Sequence, residues 1–297
     1  MNSKKILLLG AGAVGVLPAA AFLSIPAVDF RVVADAERIQ RYQRDGIYLN
    51  GKLLPLRYMV SGTEDFTADL VLIAVKGWSL EEALPLLRPH VGKHTVLLPL
   101  LNGINAPDVI RKQYPDSIIL NGFFLGHASV RTGNSIMQDG IGAFYFGSEP
   151  EDHEILEQTA QLCKTAGVNV DVPADFRSAL WKKFILNVGI NQTQAYYRAG
   201  YGIVQQSKEM MDFATALMKE AATVAEAEGI TNTDDMILSG LETIRSMPPE
   251  VQTSMLQDVL SGRNTEIDSF AGELIRRGKK NNVPTPLNEM VFKHIVS

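Results

Sequence analysis

The sequence predicts an α/β domain with a parallel sheet, followed by an all-α domain. Short apolar runs bounded by turn residues alternate with helical patterns over the first half of the chain, which is typical of βαβ units. The strand pattern stops after Val172–Pro173, and long helical patterns follow it. The length of 297 residues also exceeds what one hydrophobic core usually serves. We therefore expect one domain over residues 1–172 and a second over residues 173–297.

The first domain is expected to contain four buried strands that alternate with helices. Continuous apolar runs suit strands covered by helices on both faces, as in a parallel sheet. Two further stretches, Gly46–Val60 and Ser135–Ser148, resemble hairpins that would add antiparallel strands at the sheet edge. The predicted strands are Ile6–Leu9, Phe30–Val33, Leu70–Val75 and Thr95–Leu101, and the predicted helices are Glu37–Arg44, Leu80–Leu87 and Pro107–Gln113.

The second domain is expected to be entirely helical. Apolar residues recur there at helical spacing, and Gly, Pro and Asn residues separate one pattern from the next. From about Asp175 onward the predicted helices include Lys208–Glu228, Met236–Ile244, Gln252–Leu260 and Glu266–Lys279.

Composition excludes several classes of protein. The chain carries 28 basic and 33 acidic residues, which gives a net charge of −5. A protein that depends on nucleic acid normally carries a basic signature, so no nucleic-acid partner is expected. The single cysteine, Cys163, excludes internal disulfides and multi-cysteine metal sites, and its helical spacing predicts a buried structural role. No apolar stretch approaches about 18 residues, so neither a membrane span nor a signal peptide is expected, and the expected location is cytoplasmic.

A glycine-rich loop directly follows the first predicted strand. The string GAGAVG contains Gly10, Gly12 and Gly15, with Ala13 and Val14 between the last two glycines. Between a strand and a helix, this string is a strong indication of a Rossmann dinucleotide-binding turn. The first glycine permits the turn, the second lets a pyrophosphate approach the backbone, and the third lets the helix pack against the strand. The helix N-terminus then offers N–H groups to the phosphates. A glycine turn without a ligand is the alternative interpretation.

The second predicted strand ends at an acidic residue. Asp35 lies twenty residues beyond Gly15, where a carboxylate accepts hydrogen bonds from the adenosine ribose hydroxyls. A carboxylate there would repel a 2′-phosphate, so NADH is predicted to be preferred over NADPH. Asp35 is also placed to cap the following helix, and the two roles are compatible. Arg31 and Arg38 are near enough in sequence to neutralise a 2′-phosphate, which leaves the choice of cofactor open.

One apolar helical pattern in the second domain contains a lysine and two amides on one face. Lys183, Asn187 and Asn191 are spaced i, i+4 and i+8 in LWKKFILNVGIN. On a helix they lie within about 80° of each other. Polar groups buried in apolar surroundings need partners or they are costly. A lysine held in a structural salt bridge and a lysine that acts on a ligand are both consistent with this pattern.

Two other segments favour the interpretation as a site. SMLQDVLSGRNTEID supplies Ser254, Asp258 and Glu266, and a helix break at Ser261–Gly262 is needed to bring Ser254 and Glu266 together. LLNG places Asn102 at the carboxyl end of an apolar strand, and ligands of open α/β sheets bind at that edge.

These residues resemble the ketopantoate reductase (2-dehydropantoate 2-reductase) family over nearly the whole chain. The first motif is GAGAVG, and each of the others is modest alone. Their order and spacing together are specific. The remaining motifs are AVKGW around Lys76, LLNG at Asn102, LWKKFILNVGIN around Lys183, SMLQD and NTEID around Ser254 and Glu266, and NNVPTPLN near the end.

The resemblance implies a Rossmann domain, a C-terminal helical domain of the 6-phosphogluconate dehydrogenase type, and a cleft between them. It implies reduction of 2-dehydropantoate to (R)-pantoate with NAD(P)H, a step toward pantothenate and coenzyme A. Lys183 is then the catalytic acid, and Glu266 supports the substrate and the lysine. The implied substrate-binding residues are Asn102, Asn187, Asn191 and Ser254. The resemblance also adds Lys76 and Asn102 to the expected cofactor-binding residues, which already include Gly10, Gly12, Ala13, Val14, Gly15 and Asp35 from the sequence itself.

The chemistry of ketone reduction is consistent with these roles. Hydride arrival at a keto carbon creates an alkoxide, which needs a proton donor and local positive charge. A lysine supplies both, and amides orient a carboxylate and a hydroxyl without adding net charge. No metal is expected, because the five histidines show no ligand spacing. Of these, only His127 lies near a cleft-forming segment, and for it we favour a structural role.

The sequence departs from the family pattern at two places. The family usually ends its second strand with a basic residue that binds the 2′-phosphate of NADPH, where this chain has Asp35. The usual Asn-Pro stretch after the catalytic helix reads Asn191-Gln192-Thr193-Gln194. These departures keep open an NADH-dependent D-2-hydroxy acid dehydrogenase that acts on another branched or aromatic 2-oxo acid.

A different class of function also remains open. A binding protein that senses NAD(P) would keep the glycine loop, although it would have no need of both Lys183 and Glu266. A homodimer through the apolar helical domain and a monomer that buries this surface on its own first domain are equally consistent with the sequence.

Overall fold

The computed structural model describes residues 3–126, 129–138 and 142–296. By its internal contacts the chain forms two compact units. The first contains Met1–Asn102 and Ala106–Phe176, and the second contains Gly103–Asn105 and Arg177–Ser297.

The first unit is built on a parallel sheet of six strands in the order β5-β2-β1-β6-β7-β8. In chain order, the strands are β1 (Lys4–Leu9), β2 (Val28–Ala34), β3 (Tyr48–Leu49), β4 (Lys52–Leu53), β5 (Arg57–Val60), β6 (Leu70–Ile73), β7 (Val96–Pro99), β8 (Ile118–Ile119), β9 (Asn121–Leu125), β10 (Ser129–Thr132), β11 (Ser135–Gln138), β12 (Ala143–Gly147) and β13 (Val170–Asp171). The α-helices of this unit are α1 (Val16–Phe22), α2 (Ala36–Asp45), α3 (Leu80–Ala83), α4 (Ala106–Gln113) and α5 (His153–Thr165).

The four predicted strands are confirmed as β1, β2, β6 and β7, with ends that differ by at most two residues. Their continuous apolar character has a direct cause in the packing. Ile6 and Leu8 of β1 enter one hydrophobic core, while Leu7 and Leu9 enter another. Because side chains alternate across a strand, a sheet buried on both faces needs apolar residues at every position.

The predicted placement of two hairpins at the edge of the parallel sheet is wrong, although one antiparallel pair is present in the first stretch. Within Gly46–Val60, β3 and β4 pair in antiparallel fashion, but they belong to a separate four-stranded sheet of order β10-β11-β3-β4. β5 instead joins β2 in parallel. Within Ser135–Ser148, β11 pairs with β10 and β3, whereas β12 pairs with β9 and β13. Local alternation indicates a strand, but the partner strand is chosen by packing between distant segments.

The second unit is helical, as predicted. Its α-helices are α6 (Phe176–Tyr197), α7 (Tyr201–Gln206), α8 (Lys208–Ala227), α9 (Thr233–Ser246), α10 (Ser254–Leu260), α11 (Glu273–Asn281) and α12 (Pro286–Val296). A π-helical turn, Asp268–Gly272, leads into α11. Among the residues with described positions, no helix has the length and apolar character needed to cross a membrane.

Helix α6 lies in the core of the second unit. Phe184, Ile185 and Val188 are almost completely buried there, and Ile104 packs into the same core. A helix that is apolar around its whole circumference is buried on all sides. The polar side chains of α6 that are buried in this core, such as Lys183 and Asn191, are therefore held in an environment of low polarity.

Cys163 of α5 is free and buried, as predicted. Burial raises the pKa of its thiol to about 12. The sulfur is therefore protonated at neutral pH and packs as a small apolar group.

Candidate active site

The glycine loop between β1 and α1 has the geometry of a dinucleotide-binding turn. Gly10 has φ +101°, and a Cβ placed on it would lie 2.7 Å from the carbonyl carbon of Ala74. A Cβ on Gly15 would lie 2.2 Å from the carbonyl oxygen of Gly10. Both glycines are thus required by close backbone packing.

Gly12 differs from these two glycines because its surroundings are open. A Cβ placed on Gly12 would have a single neighbouring atom within 4 Å among the described residues, Nη1 of Arg131 at 3.8 Å. Ala13 and Val14 continue the turn to the start of α1. Space over a bare backbone is what the phosphates of a dinucleotide require, so the loop fits this ligand.

Four of the predicted cofactor-binding residues, one of them in the glycine loop, follow neighbouring strands of the parallel sheet. Asp35 follows β2, Gly10 follows β1, Lys76 follows β6 and Asn102 follows β7. These strands are adjacent in the order β2-β1-β6-β7. The four residues therefore belong to one edge of the sheet, where α/β proteins bind their ligands.

Asp35 caps helix α2. Its Oδ1 accepts a hydrogen bond of 2.7 Å from the backbone N–H of Arg38, and its Oδ2 lies 3.9 Å from Nε of the same arginine. The Asp35 side chain remains 52% exposed. The predicted capping role of Asp35 is therefore confirmed, and it leaves the carboxylate accessible to solvent.

Arg31 is held by other partners. Its guanidinium forms a salt bridge of 2.9 Å with Asp29, another with Glu64, and lies 4.5 Å from the centre of the Phe66 ring. Asp29 and Glu64 raise the pKa of Arg31, although its desolvation acts in the opposite direction. An arginine neutralised in this way is a poor partner for a 2′-phosphate.

Lys183 lies in α6 and is 9% exposed. Burial lowers the pKa of its ammonium group to about 8, and the negative charge of Glu266 acts in the opposite direction. Glu266 is 5% exposed, so the structure brings these two predicted residues into one buried environment. Asn187 and Asn191 follow Lys183 at successive turns of the same helix; Asn191 is buried and Asn187 half-buried.

Helix α10 begins beside the C-terminal part of α6. The backbone N–H of Thr253 donates to Oε1 of Gln194 over 2.9 Å, and the Thr253 hydroxyl caps α10. Ser254 is the first residue of α10 and is exposed. Gln194 thus fixes the segment that carries Ser254, a role that the sequence reasoning missed.

The helix break predicted at Ser261–Gly262 is confirmed. α10 ends at Leu260, and Gly262 has φ +61°. Arg263 then pairs with Asp258 at 2.9 Å, which gives Asp258 a structural partner. Glu266 lies two residues before the first residue of the π-helical turn.

Gly103, which belongs to the second unit, lies against this π-helical turn. Gly103 has φ +89°, and a Cβ on it would lie 3.0 Å from the carbonyl oxygen of Ser269. π-Helical turns are rare and occur frequently at functional sites. The sequence shows that a glycine follows Asn102, but no local pattern indicates that Gly103 packs against Ser269. His127, considered in the sequence, lies outside the described residues.

The arrangement in the second unit can donate a proton. A lysine whose pKa is about 8 is mostly protonated at neutral pH and yields its proton more readily than an exposed lysine. In the part of the chain that is described, no group of His, Cys, Asp and Glu side chains is arranged to hold a metal ion.

Comparison with known proteins shows one family over both halves of the chain. The profile "Ketopantoate reductase PanE/ApbA" matches residues 6–151, and "Ketopantoate reductase PanE/ApbA C terminal" matches residues 175–296. The chain belongs to the ketopantoate reductase family. The resemblance inferred from the motifs and the predicted fold are thereby confirmed.

Individual relatives agree with this assignment. A 2-dehydropantoate 2-reductase of Vibrio cholerae is 29% identical over 228 residues, which is 77% of each chain. One of Pyrococcus abyssi is 27% identical over 97% of this chain and 95% of its own.

Solved structures show the same fold. A PanE/ApbA family ketopantoate reductase from Ralstonia eutropha JMP134 has a TM-score of 0.85 and 26% identity, covering 98% of this chain and 97% of its own. A ternary structure of D-mandelate dehydrogenase with NADH and anilino(oxo)acetate has a TM-score of 0.89, 23% identity and the same coverage. At that identity, the second likeness establishes the fold alone.

Proposed function

We propose that this ketopantoate reductase family member reduces a 2-oxo acid to a 2-hydroxy acid, with 2-dehydropantoate as the leading substrate. The observation that carries the proposal is Lys183, an ammonium group buried beside the carboxylate of Glu266. A buried charge is costly, and proteins retain such groups where they act on a ligand. The two domains of this proposal are residues 1–172, which bind the dinucleotide, and residues 173–297, which supply the proton donor.

Lys183 is the proton donor in the proposed mechanism. A bound nicotinamide dinucleotide supplies the hydride that reaches the keto carbon. The electrons of the C=O double bond move to the oxygen, and the ammonium group of Lys183 gives that oxygen a proton, which leaves a hydroxyl group and a neutral lysine. Lys183 then regains a proton from solvent before the next turnover, and the negative charge of Glu266 favours this ammonium form.

The polar residues around Lys183 are proposed to orient the substrate. Asn187 and Asn191 extend along α6 from Lys183, and Ser254 lies at the start of α10, which Gln194 ties to α6. Amide and hydroxyl groups bind a carboxylate and a hydroxyl without adding net charge. The resemblance of the LLNG motif to the family pattern is the basis for proposing Asn102 as a further substrate ligand.

The proposed cofactor is NADH. Asp35 is exposed at the carboxyl end of β2, where its negative charge favours ribose hydroxyls and repels a 2′-phosphate. Of the two arginines that were considered as phosphate partners, Arg31 is held by Asp29 and Glu64. Arg38 lies against Asp35 itself, so its charge is partly offset.

A second candidate is an NADH-dependent D-2-hydroxy acid dehydrogenase for another branched or aromatic 2-oxo acid. The buried side chains of Gln192, Thr193 and Gln194 favour it, because they stand where the family usually has its Asn-Pro stretch. Gln194 also holds the segment of Ser254, so a change there is placed to alter the shape of the substrate site.

A steady-state panel tests both candidates. Purified protein is assayed with 2-dehydropantoate, 2-oxoisovalerate, 2-oxoisocaproate and benzoylformate, each with NADH and with NADPH. The leading proposal expects the highest kcat/KM for 2-dehydropantoate with NADH. If 2-dehydropantoate is the poorest of the four substrates, the second candidate replaces the first. If no 2-oxo acid is reduced, a non-catalytic NAD(P)-sensing protein becomes the better interpretation.

A further inference from the structure

A cationic side chain lies over the glycine loop. Arg131 belongs to β10, in the four-stranded sheet that is separate from the parallel sheet. Its Nη1 atom lies 3.8 Å from the point where a Cβ of Gly12 would stand. The two residues are 119 positions apart in sequence, so no local pattern indicates that they meet.

The guanidinium of Arg131 is tethered rather than fully mobile. Its Nε–H donates a hydrogen bond of 2.8 Å to the backbone carbonyl of Gly133, in the turn between β10 and β11. This bond fixes the near end of the guanidinium plane, while the Nη1 end is directed toward Gly12. The side chain is exposed, so a ligand from solvent can reach it.

The chemistry of this place suits an anion that carries several oxygens. Gly12 offers an open backbone, and Arg131 offers planar N–H donors with a permanent positive charge above it. A guanidinium binds phosphate oxygens in a bidentate manner, which fixes orientation as well as charge. The acidic balance of the whole chain gives no general attraction for anions, so a local cation matters here.

We propose that Arg131 is a phosphate-binding residue that contacts the pyrophosphate of the dinucleotide over Gly12. The inference rests on the proposed function only for the identity of the ligand, a dinucleotide with an adenosine diphosphate half. Arg131 contributes to cofactor affinity and takes no part in proton transfer.

Binding of cofactor fragments tests this assignment. Calorimetric titration of the intact protein with NADH, ADP-ribose and adenosine is carried out on the wild type, Arg131→Ala and Arg131→Lys. Arg111→Ala is the matched control, because Arg111 is an exposed arginine of α4 in the same unit. Thermal melting shows that each variant is folded.

The expected pattern separates phosphate recognition from general damage. Arg131→Ala weakens the binding of NADH and of ADP-ribose about tenfold, because one charge-assisted contact is lost. It leaves the affinity for adenosine unchanged. The affinity of Arg131→Lys for NADH and ADP-ribose lies between those of the wild type and Arg131→Ala, since lysine keeps the charge but loses the bidentate geometry. In turnover, Arg131→Ala raises KM for NADH about tenfold and leaves KM for the 2-oxo acid unchanged.

Two results overturn the assignment of Arg131. In one, the affinity of Arg131→Ala for NADH stays within twofold of wild type. In the other, this variant loses as much affinity for adenosine as for ADP-ribose. A rise in KM for the 2-oxo acid alone would place Arg131 at the substrate instead. If the wild type binds neither NADH nor ADP-ribose, the proposed function itself fails, and that result is distinct from the others.

Discussion

Two pairs of opposite charges define the candidate sites of the two units, and they differ in their exposure to solvent. Lys183 and Glu266 are 9% and 5% exposed. The side chains of Asp35 and Arg38 are 52% and 44% exposed. Burial shifts the pKa of Lys183 to about 8, because the charged form loses its hydration. An exposed pair such as Asp35 and Arg38 is screened by water and contributes little to stability.

The difference in exposure is consistent with the different tasks proposed for the two pairs. A buried ammonium with a lowered pKa is suited to proton transfer, since it releases its proton near neutral pH. An exposed carboxylate at a strand end is suited to selection, since it recognises ligand hydroxyls and repels phosphate. The proposed proton transfer therefore depends on the buried pair Lys183–Glu266, whose desolvation is unfavourable to folding. The proposed cofactor preference depends on the exposed pair Asp35–Arg38, which remains largely hydrated.

The largest effect is expected from removal of the buried lysine. We predict that Lys183→Ala lowers kcat about 10³-fold, because proton donation to the keto oxygen is lost. NADH affinity should stay within about twofold, since the glycine loop is untouched. Lys182→Ala is the matched control, because Lys182 is the exposed neighbour on the same helix. Steady-state kinetics and NADH titration measure both quantities, and a kcat within tenfold of wild type removes Lys183 from its role.

The sequence predicted those parts of the structure that depend on local pattern. The glycines of GAGAVG, the strands β1, β2, β6 and β7 and the break near Gly262 all follow from local turn, strand and helix preferences. The burial of Lys183 followed in the same way, since Trp181 before it and Phe184 and Ile185 after it are apolar.

Contacts between distant segments could not be predicted in this way. The approach of Arg131 to Gly12, the bond from Thr253 to Gln194 and the contact of Gly103 with Ser269 join residues far apart in sequence. The π-helical turn after Glu266 likewise reads as ordinary helix in the sequence. Such features depend on tertiary packing, which a local pattern does not encode.

An intermediate effect is expected on the free energy of unfolding. The pKa of Lys183 falls from 10.5 to about 8 in the folded chain. Between those values the unfolded chain binds more protons, so the folded state becomes more stable as pH rises. We predict that wild type gains about 2 kcal/mol relative to Lys183→Met/Glu266→Gln between about pH 7.5 and pH 10.

The double variant is chosen so that no buried charge is left alone. Removal of one partner leaves the other as an uncompensated buried charge, which lowers the free energy of unfolding. Replacement of both partners by neutral groups often leaves that free energy unchanged or raises it. Urea unfolding at each pH measures the difference, with Lys182→Met as the control for an exposed lysine. A difference between wild type and the double variant that does not change with pH would show that Lys183 keeps an ordinary pKa in the folded protein.

The smallest effects are expected at Asp35, where two substitutions separate its two roles. Asp35→Ser keeps an oxygen that accepts from the N–H of Arg38 but removes the charge, whereas Asp35→Ala removes both. We predict that both variants improve kcat/KM with NADPH relative to NADH about tenfold, because repulsion of the 2′-phosphate is lost. Only Asp35→Ala should lower the free energy of unfolding, by about 1 kcal/mol, because the cap is lost. If Asp35→Ser leaves the NADH preference intact while Asp35→Ala abolishes it, hydrogen bonding and not charge sets that preference, and the contrast drawn between the buried and exposed pairs would need revision at Asp35.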